Sequence, residues 1–167
     1  MAQITFKENP IHTEGNLPEV NAPAPDFKAV STDLSEKSLS DYKGSTVILN
    51  IFPSVDTGIC AQSVRSFHEK SQDVEGLVVL NISKDLPFAH KRFCGAEGIE
   101  NAVGLSDFRY HEVAQKYGVT MKEGPLAGLH SRAVVVVDTE GKVVYTEQVA
   151  EITTEPDYDK ALDAAKG

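Results

Sequence analysis

At 167 residues the chain is long enough to bury a sizeable core without a metal or disulfide staple, and a single domain over 1–167 is expected, with 1–20 as an N-terminal hairpin or extension. Its 41% hydrophobic and 25% charged residues belong to a water-soluble globular chain, and a net charge of -9 argues against a nucleic-acid surface or an anionic membrane, since both need clustered Lys and Arg. No window approaches the ~18 apolar residues that span a bilayer, and Met1–Pro10 has no cationic stretch followed by an apolar run, so the expected compartment is the cytoplasm, which is reducing.

Near the start, Ile4 and Phe6 alternate with polar residues, which suggests a short edge strand or hairpin. The stretch up to Asn21-Ala22-Pro23-Ala24-Pro25 is polar and turn-rich. Thr46–Phe52 (TVILNIF) is a nearly continuous apolar, β-branched run between Gly44 and Pro53, and reads as a strand buried on both faces. Leu77–Ile82 and Ala133–Val137 repeat that signal. Between the first two runs, Cys60, Val64 and Phe67 fall at helical spacing within Cys60–Gln72, so a parallel strand–helix–strand crossover is expected.

A second helix is expected from about Pro87 to Cys94, with Pro87 in its first turn. A third covers roughly Tyr110–Tyr117 and is stopped by Gly118. Asp138-Thr139-Glu140-Gly141 separates two β-rich runs, Ala133–Val137 and Lys142–Val149, and predicts an antiparallel final pair. Thr154 is then expected to cap a C-terminal helix, with Pro156 just inside it. The element order β-α-β-α…α-β-β-α describes an α/β domain of the thioredoxin-like type: a central mixed sheet flanked by helices.

The segment richest in chemistry is Phe52-Pro53-Ser54-Val55-Asp56-Thr57-Gly58-Ile59-Cys60. A buried strand stops at Pro53 and a helix starts near Thr57 or Gly58, with Thr57 a natural N-cap. Cys60 then lies in the first helical turn, where the helix dipole and unpaired N–H groups favour an anion. A thiolate is such an anion, and it is the nucleophilic form of cysteine. Against this stands inert packing, the commoner fate of a cysteine taken at random.

Pro53-x-x-x-Thr57-x-x-Cys60 resembles the active-site pattern of the peroxiredoxins. Ala24-Pro25-Asp26-Phe27 is similar to the motif those proteins carry ahead of their first core strands, and Ser131-Arg132-Ala133 to the segment that supplies their active-site arginine. Arg92-Phe93-Cys94, the Ser-Val-Asp-Thr loop and Gly124–Arg132 resemble the thiol peroxidase subfamily. The likeness runs from about residue 15 to the C-terminus. It implies a thioredoxin fold and a peroxidase without cofactor or metal, which reduces hydrogen peroxide and organic hydroperoxides. Cys60 would attack the peroxide and pass to sulfenic acid. Thr57 would hydrogen-bond the thiolate and peroxide, Arg132 would stabilise the negative charge, and Pro53 would shield the sulfur. Without the resemblance, Thr57 is a plain cap, Arg132 a surface charge and Pro53 a strand terminator. Gly58 stands where the subfamily often has proline, which leaves a less rigid first turn.

Cys94 follows Cys60 by 34 residues, so the pair is not a Cys-x-x-Cys site. A structural disulfide would stabilise by about 4 kcal/mol in the chain-entropy model, and two unconnected thiols are a further reading. The resemblance implies that Cys94 resolves the sulfenic acid of Cys60 as an intramolecular disulfide, which thioredoxin reopens, and that the protein is a homodimer. His90 and Cys94 share a helix face, but no third or fourth ligand of a zinc site is recognisable. Phe88, Phe93, Leu126 and Leu129 are expected in the core or a pocket wall. The alternative function is a redox-sensing interaction module switched by Cys60 oxidation.

Overall fold

A computed structural model describes residues 1–99 and 102–167. Strands β1 (Gln3–Phe6) and β2 (Asn9–His12) form an antiparallel ribbon. Its two turn residues, Lys7 and Glu8, both have positive φ. That geometry is usually left to Asn-Gly, and here the Glu8 N–H is held by the Glu151 carboxylate at 2.9 Å.

The main sheet has seven strands: β3 (Lys28–Ser31), β4 (Glu36–Ser38), β5 (Thr46–Ile51), β6 (Leu77–Ser83), β7 (Val103–Ser106), β8 (Ala133–Val137) and β9 (Val143–Gln148). They lie in the order β4-β3-β7-β6-β5-β8-β9. The three strands β5, β6 and β7 run parallel, and β8 and β9 complete one side antiparallel, as the Asp138–Gly141 turn predicts. Helices α1 (Gly58–Ser71), α2 (Pro87–Glu97), α3 (Glu112–Tyr117) and α4 (Tyr158–Lys166) cover the faces. The architecture is thioredoxin-like, as expected.

Strand alternation assigns the two faces of β5 to different layers. Val47, Leu49 and Ile51 pack with Val113 and Tyr117 of α3, whereas Ile48 packs with Phe67 of α1 and with Ala161 and Leu162 of α4. Val134 and Val136 of β8 point to the α1–α4 side. Arg132, two residues before Val134, continues that parity toward α1. The periodicity of an apolar strand thus decides which helix meets the arginine.

Beyond the edge strands β3 and β4, which the sequence reading did not place, three elements differ from the sequence expectation. The last helix begins at Tyr158 and is capped by Asp157, whose side chain accepts from the Lys160 N–H at 3.1 Å. Thr154 instead donates to the Glu151 carbonyl, and Pro156 precedes the helix. A carboxylate is the stronger acceptor for unpaired N–H groups, and it displaces the threonine from that task. Helix α3 begins at Glu112 rather than Tyr110, because His111 is left-handed (φ 58°). Its cap comes from outside the helix: the buried Asp107 carboxylate accepts from the Val113 and Ala114 N–H groups, and also pairs with His130 at 2.9 Å.

The third difference is β7, too short and glycine-bearing to stand out from pattern alone. Gly104 is required there by contact: a Cβ would lie 2.8 Å from His90 Nδ1. Gly104→Ala is expected to lower stability by about 1–3 kcal/mol through overpacking, read as a lower urea midpoint with unchanged slope.

Candidate active site

The loop after β5 is built by exhausting the sheet's hydrogen bonds. Phe52 still donates to the Ile82 carbonyl at 3.1 Å. Pro53, which is buried, has no N–H to offer and the ladder stops. The chain then turns on Ser54, whose carbonyl accepts from both the N–H (3.3 Å) and Oγ1 (3.2 Å) of Thr57. Helix α1 starts at the next residue, with Thr57 as N-cap in extended conformation (φ -101°, ψ 146°). A proline at position 58 demands just such a conformation of the residue before it. Gly58 is the first helical residue, and an added Cβ would meet nothing within 4 Å. Gly58→Pro is therefore expected to raise stability by about 0.4–1 kcal/mol, measured as a higher Tm.

Cys60 sits in that first turn and is 0% exposed. It packs with Phe52, Val55, Val64, Phe93 and Ile99. Facing it is Arg132, 2% exposed, with Nη1 3.5 Å from the Cys60 sulfur. The guanidinium is fixed by a second bond, from Nε to the Ile152 carbonyl at 3.0 Å. The Arg132 backbone is fixed as well, its carbonyl accepting from Val149 N and Gln148 Nε2. Among the described residues no carboxylate lies within 4.0 Å of Arg132 to form an ion pair. Burying a cation is costly unless something offsets its charge. The Cys60 sulfur is the group that faces it.

Thr57 is at the rim, exposed, with its hydroxyl on the Ser54 carbonyl rather than on the sulfur. Beside it a cavity of about 290 Å³ opens between the loop and α2, lined by Val55, Thr57, Ala61, Arg92, Phe93 and Ala96 among others. It is a path from solvent to the α1 N-terminus.

Cys94 lies in the last turn of α2. Its carbonyl accepts from the N–H groups of Gly98, the left-handed cap, and of Ile99. Its side chain is half-buried and packs on the same apolar cluster that contains Cys60, and both thiols are free. Burial pushes the Cys94 thiol up from its usual range. Two exposed ion pairs join α2 to the Cys60 side: Arg92–Asp56 at 2.6 Å and Arg65–Glu97 at 2.9 Å. Such pairs hold little in water.

Phe93 is in the core, and Leu126 and Leu129 pack beside Ile4 and Ile11. Phe88 is outside the core, 64% exposed because α2 turns that face away from the sheet, but it does line a surface cavity with Leu86 and Phe108, as a pocket wall. His90 points inward and bonds Ser83, not Cys94. Asp85 went unnoticed in the sequence. Its carboxylate accepts from Ser54 Oγ (2.8 Å) and from the Val55 N–H (2.9 Å), so it grips the loop that presents Cys60. No spacing rule marks a loop aspartate for that task.

A cysteine at a helix N-terminus against a buried arginine, at the carboxyl end of a parallel strand, defines a thiol-based redox protein. A Redoxin family model matches residues 19–162. The chain is 53% identical over 164 residues to the thiol peroxidases of Mycobacterium tuberculosis and Mycobacterium bovis, covering 98% of each chain. Its fold superposes on a peroxiredoxin-like protein from Aquifex aeolicus with a TM-score of 0.93 at 40% identity, over 98% of this chain and 95% of the other. It also superposes on a thiol peroxidase from Chromobacterium violaceum with a TM-score of 0.86 at 22% identity, over 96% and 93%. The chain belongs to the Redoxin family, and within it is a peroxidase of the peroxiredoxin type.

Proposed function

We propose that this protein reduces hydrogen peroxide and organic hydroperoxides through Cys60 and Cys94 and is recycled by thioredoxin. The observation that carries the reading is the buried Arg132 guanidinium 3.5 Å from the buried Cys60 sulfur. In the first step the Cys60 thiolate attacks the distal peroxide oxygen. The O–O bond breaks, Cys60 becomes a sulfenic acid, and the departing alkoxide or hydroxide takes up a proton. Arg132 offsets the charge on sulfur and then on the leaving oxygen. Thr57, at the mouth of the cavity, donates to the peroxide once its hydroxyl turns from the Ser54 carbonyl, and Pro53 keeps bulk water from the sulfur.

In the second step the Cys94 thiol attacks the sulfenic sulfur, water leaves and a Cys60–Cys94 disulfide forms. A thioredoxin dithiol reduces it and is itself oxidised. The shared apolar cluster supports this pairing, as does the position of Cys94 in a terminal helical turn, where opening is easiest. No cofactor or metal takes part. The chain works as one domain in the cytoplasm, and as a homodimer. Exposed Leu34, Leu86, Phe88 and Phe108 support a second copy as the cover for that surface.

Mass spectrometry after one equivalent of peroxide tests the reading. The wild type should carry a Cys60–Cys94 disulfide and the Cys94→Ser variant a Cys60 sulfenic acid. Peroxide consumed over many turnovers separates an enzyme from a redox-sensing module, which would oxidise once and stop.

A further inference from the structure

Asp85 lies between the end of β6 and the start of α2, yet its carboxylate also reaches the loop that follows β5. Its Oδ1 accepts from Ser54 Oγ at 2.8 Å and its Oδ2 from the Val55 N–H at 2.9 Å. Oδ2 also accepts from the Ser83 hydroxyl. That hydroxyl has one proton, and it is spent on Asp85. Ser83 Oγ therefore accepts from its other partners, the Asp85 N–H at 3.2 Å and His90 Nε2 at 3.0 Å. This fixes the imidazole as the Nε2–H tautomer. Burial keeps the ring neutral, since it pushes its pKa down to about 4 although Asp85 pulls it up. His90 stands one turn before Cys94 on α2.

Asp85 thus ties together the two segments that carry the two cysteines. On one side is the Ser54–Thr57 loop. Among the described residues, its hydrogen bonds to anything beyond itself and α1 run to Asp85 and, through the exposed Asp56, to Arg92. Thr57 in turn takes its place from the Ser54 carbonyl. On the other side is the first half of α2, pinned through Ser83 and by β7 closing on the His90 ring at Gly104. Among the described residues, the second half of α2, with Cys94, is held from Cys60's side by two solvated ion pairs and apolar contact.

We propose that Asp85 is a positioning residue: it clamps the Cys60 loop in the geometry that reduces peroxide, and its release lets Cys60 and Cys94 meet. The release half rests on the two-cysteine reading above. The clamp half does not, because it concerns the first oxidation alone.

Single-turnover oxidation by hydrogen peroxide, followed by stopped flow in a Cys94→Ser background, tests the clamp. Asp85→Ala should slow it about 10- to 100-fold, the cost of a misplaced reacting group. Asp85→Asn keeps an acceptor for the Val55 N–H and should recover most of the rate. With Cys94 present, disulfide closure after oxidation should be as fast in Asp85→Ala as in the wild type, or faster. A slowed first step beside an unslowed second is what a merely structural role does not produce. If Asp85→Ala does not fold, Ser54→Ala removes one of the two loop bonds and should show the same split on a smaller scale. Unchanged first oxidation in the Asp85→Ala and Ser54→Ala variants would overturn the proposal, as would equal slowing of both steps in parallel with lost stability. A wild type that forms no Cys60–Cys94 disulfide would overturn the release half together with the two-cysteine reading, while the oxidation rates still decide the clamp.

Discussion

Replacing Arg132 with methionine is expected to lower kcat/KM for hydrogen peroxide about 100- to 1,000-fold, the usual loss when a donor aimed at developing charge is removed. Methionine fills part of the hydrocarbon volume and leaves neither cation nor donor at the sulfur. The structural cost is of another size. The variant leaves the Ile152 carbonyl without the Nε donor, about 1–3 kcal/mol, but also removes a buried charge, which offsets part of that loss. Rate and stability should therefore separate: a large fall in the single-turnover rate beside a small change in unfolding midpoint. Arg132→Lys keeps the charge but cannot hold Ile152 and Cys60 at once, since it has no Nε–Nη fork. It should fall between the two. A lysine variant with the wild-type rate would show that charge alone suffices and that the second bond is dispensable.

Cys94→Ser should reduce thioredoxin-supported turnover to background while changing the first oxidation by no more than about twofold, because Cys94 lies outside the Arg132–Cys60 contact. Full sustained turnover in this variant would end the resolving role. The wild type should show a pH signature as well. In the closed fold burial raises the Cys94 thiol above its ordinary value, so most of it is protonated at neutral pH. The attacking form is the thiolate. Disulfide closure should thus accelerate as pH rises through the neutral and mildly alkaline range, and loosening the last turn of α2 should help twice, by moving the sulfur and by returning it to water. Closure rates measured at several pH values after a peroxide pulse check both points.

Much of this was legible from the sequence. The runs TVILNIF, LVVLNI and AVVVV read as covered strands from their apolar, β-branched content, and they became β5, β6 and β8. The strand–Pro–Thr–helix order marks Cys60 because backbone geometry alone puts a first-turn cysteine among unpaired N–H groups. Apart from the resemblance carried by Ser131-Arg132-Ala133, Arg132 was visible only as a charge beside an apolar run. Its meeting with Cys60 depends on strand parity and on a contact 72 residues away in sequence. Residues that work across the fold left no local trace. Asp107 caps a helix from outside it, and Asp85 grips a loop from the neighbouring strand end. Thr154 satisfied the local rules for a cap, yet Asp157 takes that place three residues later.

The pairing of β5 with β8 places Ala133 opposite Ile51. On the ribosome, Cys60 emerges well before Arg132, and until β8 zips onto β5 the growing chain carries that cysteine without its cation. Non-local pairings of this kind are among the later events in folding. On the proposed mechanism the thiol therefore gains its reactivity toward peroxide only as the sheet is completed, and a half-synthesised chain is spared from spending its nucleophile before the fold can use it.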